Sequence, residues 1–220
     1  MTDTVTVRRA TPDDTDTLIP VLAAAFHAGP VADWLIPDPV ERAIIYRAYF
    51  TAVLRHALTH GHVDTTRDRT GVAIWYPRPQ PPPPPDPDHL AALGEATGAY
   101  APVFALLDAL LDTSHPVEPH HHLAYLAVHP DRQRRGIGAA LLDGYHRRLD
   151  TKGLPAYLEA TNLRNRALYH RLGYRTGTPI HITDGPTIWR MWRPGKNVLP
   201  TGFLNTATPL DCSLTDGLPT

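Results

Sequence analysis

The stretch HPDRQRRGIGAAL, His129–Leu141, sets three arginines and two glycines between a strand-like apolar segment and an apolar helical pattern. A strand, a glycine-bearing turn and a helix start together aim unpaired N–H groups at one point, where the helix dipole favours an anion. Glycine at 136 and 138 lets the backbone approach phosphate oxygens without a Cβ in the way. Arg132, Arg134 and Arg135 can add charge-assisted bonds. The spacing fits neither a P-loop, which needs G-x-x-x-x-G-K-[ST], nor a G-x-G-x-x-G fingerprint with a distal acid. Taken alone, such a turn is as often structural as functional.

A second chemistry-bearing stretch, LEATNLRNRALYHRLGY, carries Glu159, Asn162, Asn165 and Tyr169 on a strand, a turn and a short helix. A third cluster is His115 with His120, His121 and His122. In a strand His120 and His122 share one face and His121 takes the other. No cysteine or carboxylate completes a zinc-type spacing there, so a solvent-facing cluster and no metal site are expected.

The formal net charge is −1, and no aromatics interleave with the arginines, which argues against a nucleic-acid partner. Only Lys152 and Lys196 supply lysine, a bias that leaves the arginines weak evidence by themselves. Cys212 is the single cysteine, so no intramolecular disulfide can form and a reducing cytoplasm is the expected compartment. The N-terminal residues lack a signal-like apolar core, and no uninterrupted run approaches 18 apolar residues, so no membrane partner is expected.

The elements that must hold these residues can be read from period and punctuation. A first strand spans Thr4–Ala10, and a helix follows with Thr11 as N-cap and Leu18, Val21, Leu22, Ala25 and Phe26 inward. A second helix begins near Asp38-Pro39 and runs to about Thr59, with Ile44, Ile45, Ala48, Tyr49, Val53 and Leu54 inward. HVDTTRD and TGVAIWYP form a hairpin turning at Arg67–Thr70. Residues 77–88 are a proline-rich connector, extended because proline lacks the N–H donor. A helical stretch from His89 to about Asp112 is broken near Gly98 and Pro102. Strand, helix, strand and short helix then run from His120 to Gly173, and YRTGTPIHI pairs with GPTIWRMWRP. One domain over 1–195 is expected, with an irregular tail over 196–220.

LAVHPDRQRRGIGAALL resembles the acyl-CoA-binding motif of the GNAT superfamily of N-acetyltransferases, [Q/R]-x-x-G-x-[G/A], met in order by Gln133, Gly136 and Gly138. Asn162, Tyr169 and LGY fall at the family's spacing, so the resemblance covers about residues 123–176, and the element order over 4–193 agrees. The segments VRRATPDDTDTLIPVLAAAF, VAIWYP and DGPTIWRM are similar to puromycin N-acetyltransferase and related antibiotic-modifying enzymes.

The resemblance implies an α/β (α+β) GNAT fold: a mixed, mostly antiparallel sheet with splayed middle strands, flanked by helices. It implies acetyl-CoA as co-substrate, no metal, and a small-molecule amine as acceptor. The CoA pyrophosphate would lie on Gln133, Arg134, Arg135, Gly136, Ile137, Gly138 and Ala139, and the pantetheine arm along Leu126, Ala127 and Val128. Asn162 would bond the pantetheine or cap its helix, Asn165 would lie close by, and Tyr169 would be the general acid. Glu159 is the candidate base, with His122 and Tyr125 as rivals, although such enzymes often use no dedicated base. Phe26, Trp34, Trp75 and Tyr125 are candidate acceptor contacts, with Tyr76, Tyr100 and Phe104 behind them. A peptide acetyltransferase and a silent acyl-CoA sensor are the alternatives, and monomer and homodimer stay open.

Overall fold

A computed structural model describes residues 5–196. The tail beyond Lys196, with Cys212, and the start of the expected first strand lie outside the described residues. Seven strands form one sheet in the order β1-β2-β3-β4-β5-β7-β6. They are β1 (Val7–Arg9), β2 (His62–Thr66), β3 (Gly71–Arg78), β4 (His120–Val128), β5 (Ala156–Ala160), β6 (Arg175–His181) and β7 (Thr187–Arg193). Every neighbouring pair is antiparallel except β4 and β5, which are parallel. The architecture is the expected GNAT fold.

The connections explain the two layers. Helices α1 (Thr15–Phe26), α2 (Pro30–Leu35), α3 (Pro39–His60), α4 (Pro87–Thr97) and α5 (Ala101–Ser114) come from the first half of the chain. The buried stripes of α1 and α3, with Phe104 of α5, pack on Val72, Ile74 and Ala127. Helices α6 (Ile137–Lys152) and α7 (Leu163–Arg171) cover the opposite face over Ala73, Trp75, Leu123 and Leu158.

Helix α3 keeps Ile45, Tyr49, Val53 and Leu54 inward as expected, but two positions of the expected stripe differ. Ile44 and Ala48 face solvent, whereas Arg42 and Tyr46 are buried. The cause is Arg42, whose guanidinium donates to the carbonyls of Ile36 (2.7 Å) and His27 (2.6 Å) and pairs with Asp33 (2.7 Å). An arginine satisfied this completely can sit inside, and it clamps the 27–38 connection against the helix. That connection also holds α2, a turn of helix that hydropathy did not announce.

Residues Pro87–Ser114 reach the length and mean hydropathy of a membrane-crossing helix, although Glu95 and Asp108 interrupt the apolar run. Their helix bends at a 3-10 turn, Gly98–Tyr100, where Gly98 takes φ +52°. Phe104 turns into the core beside Tyr49, with ring centroids 5.0 Å apart. The stretch is thus two helices, α4 packed on α3 and α5 reaching the sheet through Phe104, Leu107, Leu110 and Leu111.

Candidate active site

The central feature is a gap in the sheet. Strands β4 and β5 pair only at His121–Ala156 and His122–Tyr157, then part. From Leu123 onward one edge of β4 is open. A bulge falls at the same place: Ile74 pairs with Tyr125 and Trp75 with Leu123, which leaves Ala124 as the extra residue. The bulge reverses the alternation, so Leu123 and Leu126 both join the α6 side while Tyr125 turns toward α1 and α3.

Beyond β4 the turn closes on itself. Gln133 Nε2 donates to the Val128 carbonyl at 3.2 Å, and Arg134 and Gly136 take φ +64° and +80°. The first helical bond of α6 runs from the Ala140 N–H to the Gly136 carbonyl, so the N–H groups of residues 137–139 precede the ladder. A Cβ on Gly136 would meet no protein atom within 4 Å, so glycine is required there by backbone conformation rather than by packing.

A cleft of about 480 Å³ opens between this turn and α7. Of the sequence-derived cofactor residues, Leu126, Val128, Gln133, Arg134, Gly136, Ile137, Gly138, Ala139, Asn165 and Tyr169 line it. Three do not. The Ala127 side chain is fully buried on the opposite face, leaving only its backbone near the open edge. Arg135 points to solvent and reaches back to the Asp131 carbonyl at 3.4 Å. Asn162 caps α7, its Oδ1 accepting from the Asn165 N–H at 2.8 Å, which is the capping use foreseen for it.

The sequence reading missed Arg164 and Arg171, which also line the cleft. Their seven-residue separation on a helix that carries Leu168 and Leu172 was the available signal. The donor set suits a pyrophosphate-bearing ligand: unpaired N–H groups at a helix start, arginines on two walls, and an open strand edge for amides.

Tyr169 stands on the α7 wall, 6 % exposed. Burial pushes its phenol well above the ordinary tyrosine range, so it stays protonated and able to donate. Its hydroxyl has no protein hydrogen-bond partner among the described residues.

On the other face of the gap the histidines are buried, not solvent-facing. His120 is 3 % and His122 9 % exposed, while His121 takes the opposite face and bonds the Tyr145 hydroxyl at 2.9 Å. A carboxylate does complete this cluster. Glu159 Oε2 lies 2.8 Å from His122 Nε2, and Oε1 lies 3.6 Å from His115 Nε2. Parallel pairing supplied it from a strand 37 residues further on, which spacing along the chain cannot reveal. Burial alone would raise the Glu159 carboxyl, but the His122 and His115 imidazoles and the His122 hydrogen bond outweigh it, leaving it below its ordinary range. Burial, reinforced by His122, drives His115 down to about 3.

The acceptor candidates divide. Tyr125 shares a 2.8 Å hydroxyl–hydroxyl hydrogen bond with Tyr49, and its ring meets Phe26 edge-on at 5.7 Å. Phe104 adjoins the same group. Trp34 is half-buried and packs with Ile180 and Ile182 at the far end of the sheet. Trp75 is excluded: regular alternation along β3, with Ile74 and Tyr76 on the other face, puts it on the α6 side, fully buried and stacked on Tyr145 at 4.4 Å. Tyr76 bonds His56 and Tyr100 bonds Glu41, so neither hydroxyl faces the gap. Asp108 of α5 was not foreseen. Burial, then the neighbouring Asp112 charge, raises its carboxyl to about 6, and its own charge reaches Tyr49 and Tyr125.

Residues 84–174 match the family model described as acetyltransferase (GNAT) family. A Corynebacterium glutamicum structure named histone acetyltransferase HPA2 and related acetyltransferase is 29 % identical, with a TM-score of 0.66 over 90 % of this chain and 99 % of that one. Arylalkylamine N-acetyltransferase 2 from Aedes aegypti is 14 % identical, with a TM-score of 0.59 over 87 % of this chain and 99 % of that one. The ribosomal-protein-S18-alanine N-acetyltransferase of Escherichia coli is 18 % identical, with a TM-score of 0.52 over 91 % of this chain and all of that one. The last two are likenesses of fold. The family model spans the turn and helices that build the cleft, and the first of these structures resembles the chain in sequence as well as in fold.

Proposed function

We propose that the chain is an acetyl-CoA-dependent N-acetyltransferase whose acceptor is the primary amine of a small apolar or aromatic molecule, with amine-bearing antibiotics as the first class to test. The observation that carries this reading is that Tyr169 and the start of α6 line one cleft beside the open edge of β4. Acetyl-CoA, when bound, supplies an acetyl group activated as a thioester. The N–H groups of 137–139 with Arg134 hold the pyrophosphate, and the β4 backbone over Leu126–Val128 holds the pantetheine amides. A β4 N–H beside the Ala124 bulge donates to the carbonyl oxygen as charge develops on it.

The amine nitrogen attacks the carbonyl carbon, the C–S bond breaks, and the departing thiolate takes the Tyr169 proton. An ordinary thiol pKa is about 8.5, so a donor eases that departure. The proton lost by the attacking nitrogen passes to Glu159, directly or through His122. Holding both reactants in one site supplies much of the acceleration.

Two observations favour a small amine over a peptide. Helix α5 brings Phe104 against Tyr49 beside Tyr125, and the charge of Asp108, exposed on the same helix, reaches that tyrosine pair and suits an alkylammonium. The cytoplasm, where a lone thiol stays reduced, is the compartment of this reading. Turnover of acetyl-CoA, followed as thiol release across aromatic amine antibiotics, polyamines and peptides, tests it. Turnover with small amines above peptides is expected. Peptides alone as acceptors would make it a protein acetyltransferase, and tight CoA binding with no acceptor at all would make it a sensor.

A further inference from the structure

A second constellation lies away from the cleft, between α3 and α4. His56 and His60 stand one turn apart on α3, with ring centroids 4.6 Å apart. Asp86 is the N-cap of α4, and its Oδ1 accepts from the N–H groups of Asp88 (3.0 Å) and His89 (3.4 Å). Its other oxygen, Oδ2, is left 3.7 Å from His56 Nε2 and 4.0 Å from His60 Nε2. The three ligand atoms lie within 4.8 Å of one another. Those separations are too long for hydrogen bonds, so no proton joins the trio.

We propose that His56, His60 and Asp86 bind a divalent transition metal of the zinc class, which ties α4 to α3. Zinc–ligand bonds of about 2.1 Å place tetrahedral donor atoms about 3.4 Å apart, a small closure from the distances present. His60, with a side chain 55 % exposed, has the freedom to make it. His56 has the support a ligand needs: its Nδ1 is 3.0 Å from the Tyr76 hydroxyl, which fixes the ring with Nε2 toward the other two. His89 stacks on His56 at 4.0 Å and closes off the other side.

The architecture gives the ion a task. The cleft between the helices, about 580 Å³, has Ala48, Ala52, Ala92 and Ala96 on its walls, with the three histidines and Asp86 at one side. A metal tie there anchors the helix pair whose second member brings Phe104 and Asp108 over the acceptor face. The His115–His122–Glu159 trio is the weaker ligand set, because Glu159 is already hydrogen-bonded to His122 at 2.8 Å.

The test uses the full chain stripped with chelator and titrated with zinc chloride by calorimetry, with cobalt chloride as a visible-absorption probe. One ion per chain and a rise in Tm are expected. Affinity should fall at least about tenfold in His60→Ala, in Asp86→Asn, which keeps the capping oxygen, and in Tyr76→Phe, which removes the supporting hydroxyl. Glu159→Gln should bind zinc as the parent does. Absence of zinc binding, or binding that survives His60→Ala and Asp86→Asn, overturns the proposal, and so does loss in Glu159→Gln alone. None of these readouts depends on acetyl transfer.

Discussion

His122 and Glu159 meet at 2.8 Å across the last point where β4 and β5 still pair, so the sheet's parting begins beside a buried acid–base pair. His122 is aligned with Tyr157, and Glu159 follows two residues later on the same face of β5. The pair thus faces the side of the gap that holds Tyr125, whereas Tyr169 stands on the cofactor wall.

Glu159→Gln should lower kcat by about 10²-fold, the usual size of a general-base contribution, with little change in CoA affinity. Glu159 is not among the residues lining the cofactor cleft. Steady-state kinetics beside a CoA titration separates the two. An equal fall in affinity would remove the base assignment.

Tyr169→Phe should lower kcat by about 10²-fold while CoA still binds, because the ring that forms the cleft wall remains. Single-turnover measurements with acetyl-CoA and a competent amine read the chemical step directly. Unchanged chemistry would assign Tyr169 to packing.

Gly136→Val should weaken CoA binding at least about tenfold and lower stability by about 1–2 kcal/mol, because a side chain is strained at φ +80°. The space that its side chain would enter holds no protein atom within 4 Å. Loss of CoA affinity beyond the stability change therefore reports the ligand, by calorimetry against thermal melts.

Asp108→Asn should raise KM for an amine acceptor with kcat less affected. The Asp108 carboxyl titrates at about 6, so its anionic form, and the acceptor affinity due to it, is lost as pH falls through that value. The wild-type KM should rise below about pH 6, and the variant's should not.

Asp14 is 2 % exposed and receives both Arg8 guanidinium nitrogens at 2.7 Å, Arg69 Nε at 2.8 Å and the Thr11 N–H at 2.9 Å. The Arg8 hydrogen bonds, the largest of these influences, hold its carboxyl far below the ordinary range. A depressed carboxyl stabilises the fold above its unfolded pKa of about 4 and loses that contribution as pH falls toward the folded value. Asp14→Asn should cost about 2 kcal/mol at neutral pH, and its melting temperature should fall less than the wild type's between neutral and acid pH.

The sequence by itself determined what depends on near neighbours in the chain. Gln133, Gly136 and Gly138 define the turn because backbone conformation and helix start are local, and Asn162 announces its cap for the same reason. Strand and helix periods likewise located most of the elements along the chain, α2 excepted, while their arrangement in a sheet with flanking helices was what the resemblance implied. Tertiary structure decided what depends on which face a residue meets. The Ala124 bulge put Tyr125 on the face opposite Leu123, an inversion that alternation along the strand cannot foresee. Parallel pairing carried Glu159 to His122, and the docking of α4 carried Asp86 to His56 and His60. The buried arginine at position 42 faces inward because the 27–38 connection before α3 folds back to satisfy it. In each case the face a residue takes depends on how separate elements dock, so residue type and spacing set the chemistry available while contact alone settled where it stands.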